Sequence, residues 1–303
     1  MKQLKEWFVT APWGKIALVS WGNPVGEPIL LVHGRQDSIA SFKPLLELLP
    51  DKYYYVGFDL PGHGRSDAFP VGVVLMRFHF VTAVEVVVEH LGWQHFVFMA
   101  HSMGTQLGLF YNAIHPHRIT KLIFLDPGLA MQHLMVSCYA DFYEVFDNHY
   151  SNYENYIADD RVYSQRRAIE VVMRARGLTE EQARLVLERN LVELGPDRYR
   201  LSWDKRLKSM PPFYLPYTFY VELFSKNLPP ALIIAASLTK KGLGLAGKTA
   251  DRIISDMKNK SCDFYIKSVD GGHDVHLTNP DRFSEDVCSF LNGPSVAGAK
   301  SKL

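Results

Sequence analysis

The segment Phe96-Val97-Phe98-Met99-Ala100-His101-Ser102-Met103-Gly104-Thr105-Gln106-Leu107-Gly108 constrains this chain more than any other. Its first five residues are apolar and strand-like. Beyond the polar apex, Leu107, Leu109, Phe110 and Tyr111 continue a pattern that suits a buried helix, with compact residues at Gly104 and Gly108. A serine at the apex of such a strand-turn-helix has its hydroxyl pushed out over the carboxyl end of a sheet, the arrangement of the G-x-S-x-G elbow. Here the pentapeptide is Ala100-His101-Ser102-Met103-Gly104, with alanine at the first glycine position. Taken alone it is also compatible with an ordinary serine in a strand-to-helix loop.

The flanking sequence supplies the sheet. Trp7-Phe8-Val9 and Ile16-Ala17-Leu18-Val19 around Ala11-Pro12-Trp13-Gly14 read as a hairpin. Ile29-Leu30-Leu31-Val32, Tyr53 to Phe58 and Leu122-Ile123-Phe124-Leu125 are continuous apolar runs, typical of strands covered on both faces. Helical patterns lie between them, from about Phe42 to Leu49 and through a long segment ending at Leu91. Alternating strands and helices predict a parallel sheet with right-handed crossovers.

The rhythm breaks after Pro127. From Gly128 to Leu228 the pattern is helical and aromatic, with Tyr139, Phe142, Tyr143, Phe146, Tyr150 and Tyr153 three or four apart. Thr179 and Gln182 form a capping-box start for a helix through Leu191. The aromatic stripe is expected to pack the insertion on the core, a substrate-lining role being the alternative. Strands resume at Ala231-Leu232-Ile233-Ile234-Ala235-Ala236 and Phe264 to Val269, and a last helix runs from Arg282 to Leu291. The expected organisation is a core of residues 1–127 and 229–292, a helical cap of 128–228, and a flexible tail of 293–303.

Bulk properties narrow the classes. The chain has 303 residues, net charge +1 and 21% charged residues, which gives no electrostatic case for nucleic acid or an acidic membrane surface. Its apolar windows are broken by charges, so no transmembrane segment and no signal peptide is expected. Cys138, Cys262 and Cys288 are too widely spaced and odd in number for a disulfide framework, and no metal site or cofactor is implied. The final Ser301-Lys302-Leu303 matches a receptor-read peroxisomal address. The expectation is a peroxisomal protein with a cytoplasmic pool, bound by the import receptor through those three residues.

A serine hydroxyl becomes nucleophilic at neutral pH only with a base in hydrogen-bond reach, itself oriented by a third group. His273, in a Gly271-Gly272-His273 turn after the last strand, is the preferred base over nearby His276. Backbone N–H groups of Met103 and Arg35 are the candidate oxyanion donors, and the Arg35 guanidinium could bind a carboxylate or phosphate or simply pair with Asp37. The acid is harder to locate. Ser237-Leu238-Thr239-Lys240-Lys241-Gly242-Leu243-Gly244, which follows the Ala231–Ala236 strand, contains no carboxylate. Asp126, at the end of the strand after the elbow, is preferred over Asp251, with absence of a working acid as a third option.

Together, His33-Gly34-Arg35-Gln36-Asp37, Phe58-Asp59-Leu60-Pro61-Gly62-His63-Gly64-Arg65-Ser66, the elbow, Leu125-Asp126 and Gly272-His273 resemble the α/β-hydrolase superfamily. Pro12-Trp13-Gly14, Trp21-Gly22, Ser41-Phe42, Glu89-His90-Leu91-Gly92-Trp93 and Arg166-Arg167-Ala168-Ile169-Glu170 are similar to the serine hydrolase-like proteins within it. The resemblance implies an α/β-hydrolase fold: a mostly parallel central sheet, helices on both faces, an inserted cap, and Ser102 as nucleophile. The chemistry expected is hydrolysis of a small-molecule carboxylic ester or thioester, lipid-derived given the address, through an acyl-enzyme at Ser102. Relatives tend to carry glycine where Ala100 and Thr105 stand, and tryptophan at Arg35. Those departures and the missing carboxylate motivate the rival reading, a degenerate hydrolase with a binding role and little turnover.

Overall fold

A computed structural model describes residues 1–132, 139–158, 161–212, 215–242 and 244–293. The proposed address at Ser301-Lys302-Leu303 and Cys138 lie outside the described residues. Ten strands are present among those described: β1 (Gln3–Ala11), β2 (Gly14–Gly22), β3 (Pro28–Val32), β4 (Tyr54–Phe58), β5 (Phe96–His101), β6 (Ile119–Leu125), β7 (Leu191–Gly195), β8 (Arg198–Leu201), β9 (Ala231–Ala236) and β10 (Phe264–Val269). Eight of them form one sheet in the order β1-β2-β4-β3-β5-β6-β9-β10. β2 runs antiparallel to β1 and β4, and the other pairs are parallel.

Side-chain alternation along these strands builds two cores. Leu30, Val32, Phe96, Phe98, Ala100, Leu122 and Phe124 point to one face. There they meet the helices Arg77–Leu91, Met103–Ile114, Tyr217–Ser225 and Gly244–Asn259. Ile29, Leu31, Val97, Met99, Ile123 and Leu125 point to the other, against Phe42, Leu45, Val275 and the helix Ser284–Asn292. Burial on both faces explains why the strands read as unbroken apolar runs.

The register decides where the loops emerge. Val32 pairs with Ala100, His101 with Leu125, Leu125 with Ile234, and Ala236 with Val269. The carboxyl ends of β3, β5, β6, β9 and β10 are therefore level, and the loops bearing Arg35, Ser102, Asp126, Thr239 and His273 leave the sheet along one rim.

Several elements differ from expectation. The segment expected as a helix from Phe42 to Leu49 is a 3₁₀ turn, Ile39–Phe42, followed by a single turn, Lys43–Leu46. Ser237–Gly242, read as loop, is a short helix. The helix begun by the Thr179/Gln182 box stops at Asn190, and β7 and β8 follow as a hairpin on the Pro196-Asp197 turn, with Asp197 at φ +49°. Leu191-Val192-Glu193-Leu194 continues an apolar rhythm that a helix and a short strand share, and only the turn separates them. The aromatic stripe expected to pack on the core is buried only in part: Phe142, Phe146 and Tyr153 are partly buried, whereas Tyr139, Tyr143 and Tyr150 are each more than half exposed. Among the described residues no helix is long and apolar enough to cross a membrane.

The insertion is bound to the core through largely buried arginines that reach carboxylates and backbone carbonyls of the core. Arg189 donates to Asp59 at 2.8 Å and to Glu6 at 2.9 Å. Arg206, 2% exposed, donates to Asp204 and to the carbonyls of Phe69, Pro70 and Val73. Arg176 bridges Asp37 (3.4 Å) and Asp274 (2.9 Å from Nε).

Asp37 therefore sits in a balance of opposing effects. Burial alone would raise its carboxyl, but the Arg176 guanidinium, with His276 and His33, outweighs this and holds it at about 2. A folded-state value depressed below the unfolded one contributes stability that is present above pH ~4 and is lost as pH falls toward ~2, on the order of 2 kcal/mol. Arg176→Met leaves Asp37 buried without its guanidinium, at a cost of about 3 kcal/mol near neutrality. Denaturant unfolding at a series of pH values should show the gap between wild type and variant closing as pH drops from about 5 to 2. A gap independent of pH would disprove the assigned coupling.

Candidate active site

The elbow is built on a strained backbone at Ser102 that its neighbours hold in place. Ser102 takes φ +50° and ψ −119°, an unfavourable backbone for a residue with a Cβ, held between β5 and the helix Met103–Ile114. Its N–H donates to Leu125 O at 3.1 Å, and its carbonyl accepts from the Thr105 N–H (3.0 Å) and hydroxyl (2.6 Å). Thr105 thus satisfies the elbow's own backbone. Ala100 is fully buried in the sheet.

Close approach explains the two glycines beside the serine. A Cβ on Gly104 would lie 2.6 Å from Val32 O, and one on Gly34 would lie 3.0 Å from Ser102 Cβ and 2.9 Å from His101 Nδ1. Gly104→Ala must push the helix off the backbone of β3. The expected cost is about 1–3 kcal/mol, read as a lower midpoint in denaturant unfolding.

His273 Nε2 lies 2.8 Å from Ser102 Oγ, and His273 Nδ1 lies 2.6 Å from Asp126 Oδ2. This pattern assigns the proton to Nδ1, leaving Nε2 to accept from the serine. Asp126, at φ +47° and 3% exposed, is also bonded by the Ala236 N–H to Oδ1 (3.0 Å) and the Thr239 hydroxyl to Oδ2 (2.7 Å). The end of β9 and the short helix after it, where no carboxylate stands, therefore supply donors to the carboxylate after β6. Asp251 is exposed on the helix Gly244–Asn259 and is not brought to His273.

His276 is fully buried, donates from Nε2 to Ser41 Oγ at 3.1 Å, and is held down at about 4 by burial. Its neutral ring packs on that of His101 at 4.1 Å. His101 was not singled out by sequence reasoning, yet its Nε2–H donates to the His273 carbonyl at 2.9 Å and so anchors the loop that carries the imidazole. Burial keeps His101 well below the ordinary histidine range, so it stays neutral. Its position inside the elbow pentapeptide was the available signal.

Met103 and Arg35 N–H groups have no acceptor among the described residues. Met103 is the first residue of its helix, where amides lack intrahelical partners. The loop bearing Arg35 is held by its neighbours: Gln36 N–H donates to His63 Nε2 (3.1 Å) and Leu60 N–H to His33 Nε2 (2.9 Å). Asp59 accepts from the amides of Ile39 and Arg65. The His33-Gly34 and Asp59 to Ser66 motifs are thus a scaffold for this loop. Asp37 pairs with Arg176, and the Arg35 guanidinium instead reaches Leu207 O at 3.4 Å.

Asp37, His101 and His276 place donor atoms within 4.8 Å of one another, the one such group among the described residues. The Arg176 guanidinium already occupies the carboxylate, and its charge opposes a second cation there. These residues fit a guanidinium site, not a metal site.

A family model for the alpha/beta hydrolase fold matches residues 27–280, which spans β3 through His273 and His276. The chain belongs to the alpha/beta hydrolase family. It is 28% identical to a serine hydrolase-like protein of Danio rerio, over 98% of this chain and 91% of that protein. It is 27% identical to serine hydrolase-like protein 2 of Homo sapiens, over 95% and 94%. Among solved structures it is similar in fold to the hypothetical protein PA1622 of Pseudomonas aeruginosa PAO1. That match has TM-score 0.77 and 23% identity, covering 95% of this chain and 98% of that one. As an alpha/beta hydrolase the chain keeps the expected sheet, while its candidate acid stands after β6, not after β9.

Proposed function

We propose that this protein is a serine hydrolase that cleaves a carboxylic ester or thioester through an acyl-enzyme at Ser102. The observation that carries this reading is the hydrogen-bonded chain from Ser102 Oγ through the His273 ring to Asp126, at 2.8 and 2.6 Å. His273 Nε2 accepts the serine proton as Oγ attacks the carbonyl carbon, and Asp126 stabilises the imidazolium that results. The amides of Met103 and Arg35 hold the oxyanion. The proton then passes to the departing oxygen or sulfur, and water activated by the same nitrogen hydrolyses the acyl-enzyme. The names of the curated relatives support the same reading. The absent carboxylate after β9, which motivated a binding role without turnover, is offset by Asp126 and its two donors.

The lipid-derived character of the substrate follows from reading Ser301-Lys302-Leu303 as an import address. Imaging of a tagged chain should show peroxisomal foci that disperse when those three residues are removed. Foci that persist without them would count against the address.

Exposure to a fluorophosphonate probe tests the chemistry directly. The expected result is an adduct on wild type that maps to Ser102 and is lost in Ser102→Ala. No adduct at any pH would favour the binding role.

A further inference from the structure

The cavity above His273 has a volume of about 1420 Å³ and lies between the rim of the sheet and the insertion. Among its described lining residues eight are Lys or Arg and three are Asp, in a chain whose net charge is only +1. Two of those three carboxylates are already engaged, Asp204 by Arg206 at 2.6 Å and Asp274 by Arg176. Arg35, Arg161 and Lys208 line the same space and make no ion pair among the described residues. The 3₁₀ turn Lys205–Ser209 ties two parts of the lining: Leu207 O accepts from Arg35, Lys205 donates to the carbonyls of Asn155 and Ala158, and Tyr156 donates to Ser209. The buried Arg77 sits close enough to Arg35 to add to the field: burial, then the Arg35 charge, lowers Arg77 to about 10. Tyr156, Ile157, Tyr163, Val171 and Leu201 give the cavity an apolar wall as well.

Guanidinium and ammonium groups with no ion-pair partner among the described residues, set beside an apolar wall, suit an amphiphilic anion. We propose that Arg35, Arg161 and Lys208 form an anion subsite that takes a phosphate-bearing leaving group, so that the substrate is an acyl ester or thioester of a phosphorylated alcohol or thiol. This rests on the Ser102 reading above and assigns its leaving-group side. Phosphate is chosen over a single carboxylate because the three cations come from three separate chain segments, which suits a head carrying several anionic oxygens.

Binding to Ser102→Ala protein tests the subsite without requiring turnover. Calorimetry would compare the octyl thioether of coenzyme A with the neutral octyl thioether of N-acetylcysteamine and with an octyl thioether ending in one carboxylate. The coenzyme A thioether should bind at least ~10-fold tighter than the neutral one, by a margin that narrows at high salt. Adding Arg161→Ala and Lys208→Ala should weaken it by about 10-fold and leave the neutral ligand unchanged. Equal affinity for charged and neutral ligands, or equal losses for both in the variant, would overturn the subsite. A carboxylate ligand matching the coenzyme A thioether would overturn the choice of phosphate. Failure of fluorophosphonate labelling would instead remove the hydrolase reading and leave this binding result standing.

Discussion

Asp126→Asn is expected to lower kcat by about 10⁴ while the protein remains folded, by analogy with other triads whose acid becomes an amide. The local hydrogen bonds determine how the amide must sit. Ala236 N–H donates to Oδ1, so the asparagine oxygen has to face Ala236 and its NH₂ group is turned toward His273 and Thr239. The Thr239 hydroxyl can rotate to accept. His273 Nδ1 can accept only by giving up its proton, which then moves to Nε2 and points at Ser102 Oγ. The imidazole is held in the wrong tautomer to act as base. Asp251→Asn, on an exposed helical position, should leave kcat within about twofold, as surface substitutions usually do. Steady-state hydrolysis of a p-nitrophenyl acyl ester by the two variants checks both statements. Equal loss in both, or activity retained in Asp126→Asn, would remove Asp126 as the acid.

Ser102→Ala should have the larger effect, about 10⁶ in kcat on the same ester, because the remaining histidine and carboxylate have no nucleophile to activate. Binding should survive. The elbow is set by backbone bonds from Ser102 N–H to Leu125 O and from Thr105 to Ser102 O, none of which uses the Ser102 hydroxyl. A single-turnover measurement with the same ester should show no acyl-enzyme burst in the variant and a burst in wild type. A variant that keeps the burst would move the nucleophile elsewhere.

The two predictions differ in how much of their basis a reader of the sequence could reach. Ser102 is legible because the elbow is local: strand, apex and helix lie in consecutive residues, and Gly104 is needed where the helix meets Val32 O. His273 is legible from the Gly271-Gly272 turn and its place after the last apolar strand. Asp126 and Asp251 are both plausible on paper. What separates them is contact between residues 147 apart in the chain, which depends on sheet register and on how the Ser237–Gly242 helix turns Thr239 inward.

The insertion shows the opposite limit. Its helical periodicity was readable, but apolar spacing reports only that a face is suited to burial, and Tyr139, Tyr143 and Tyr150 stayed exposed. Arg176, Arg189 and Arg206 look like ordinary surface charges in sequence. Each is a tie between insertion and core, because its carboxylate partner or the carbonyls it bonds lie on distant loops.

By itself, then, the sequence determined the parallel sheet, the elbow serine and the histidine that faces it. These follow from apolar runs, glycine positions and strand order, which are properties of short segments and their succession. Only the tertiary structure decided which carboxylate meets His273, how His101 holds the loop behind it, and which arginines and lysines line the cavity above it. Those are energies of pairs brought together from distant segments. Their strength depends on burial and angstrom-scale distance, which no local pattern encodes.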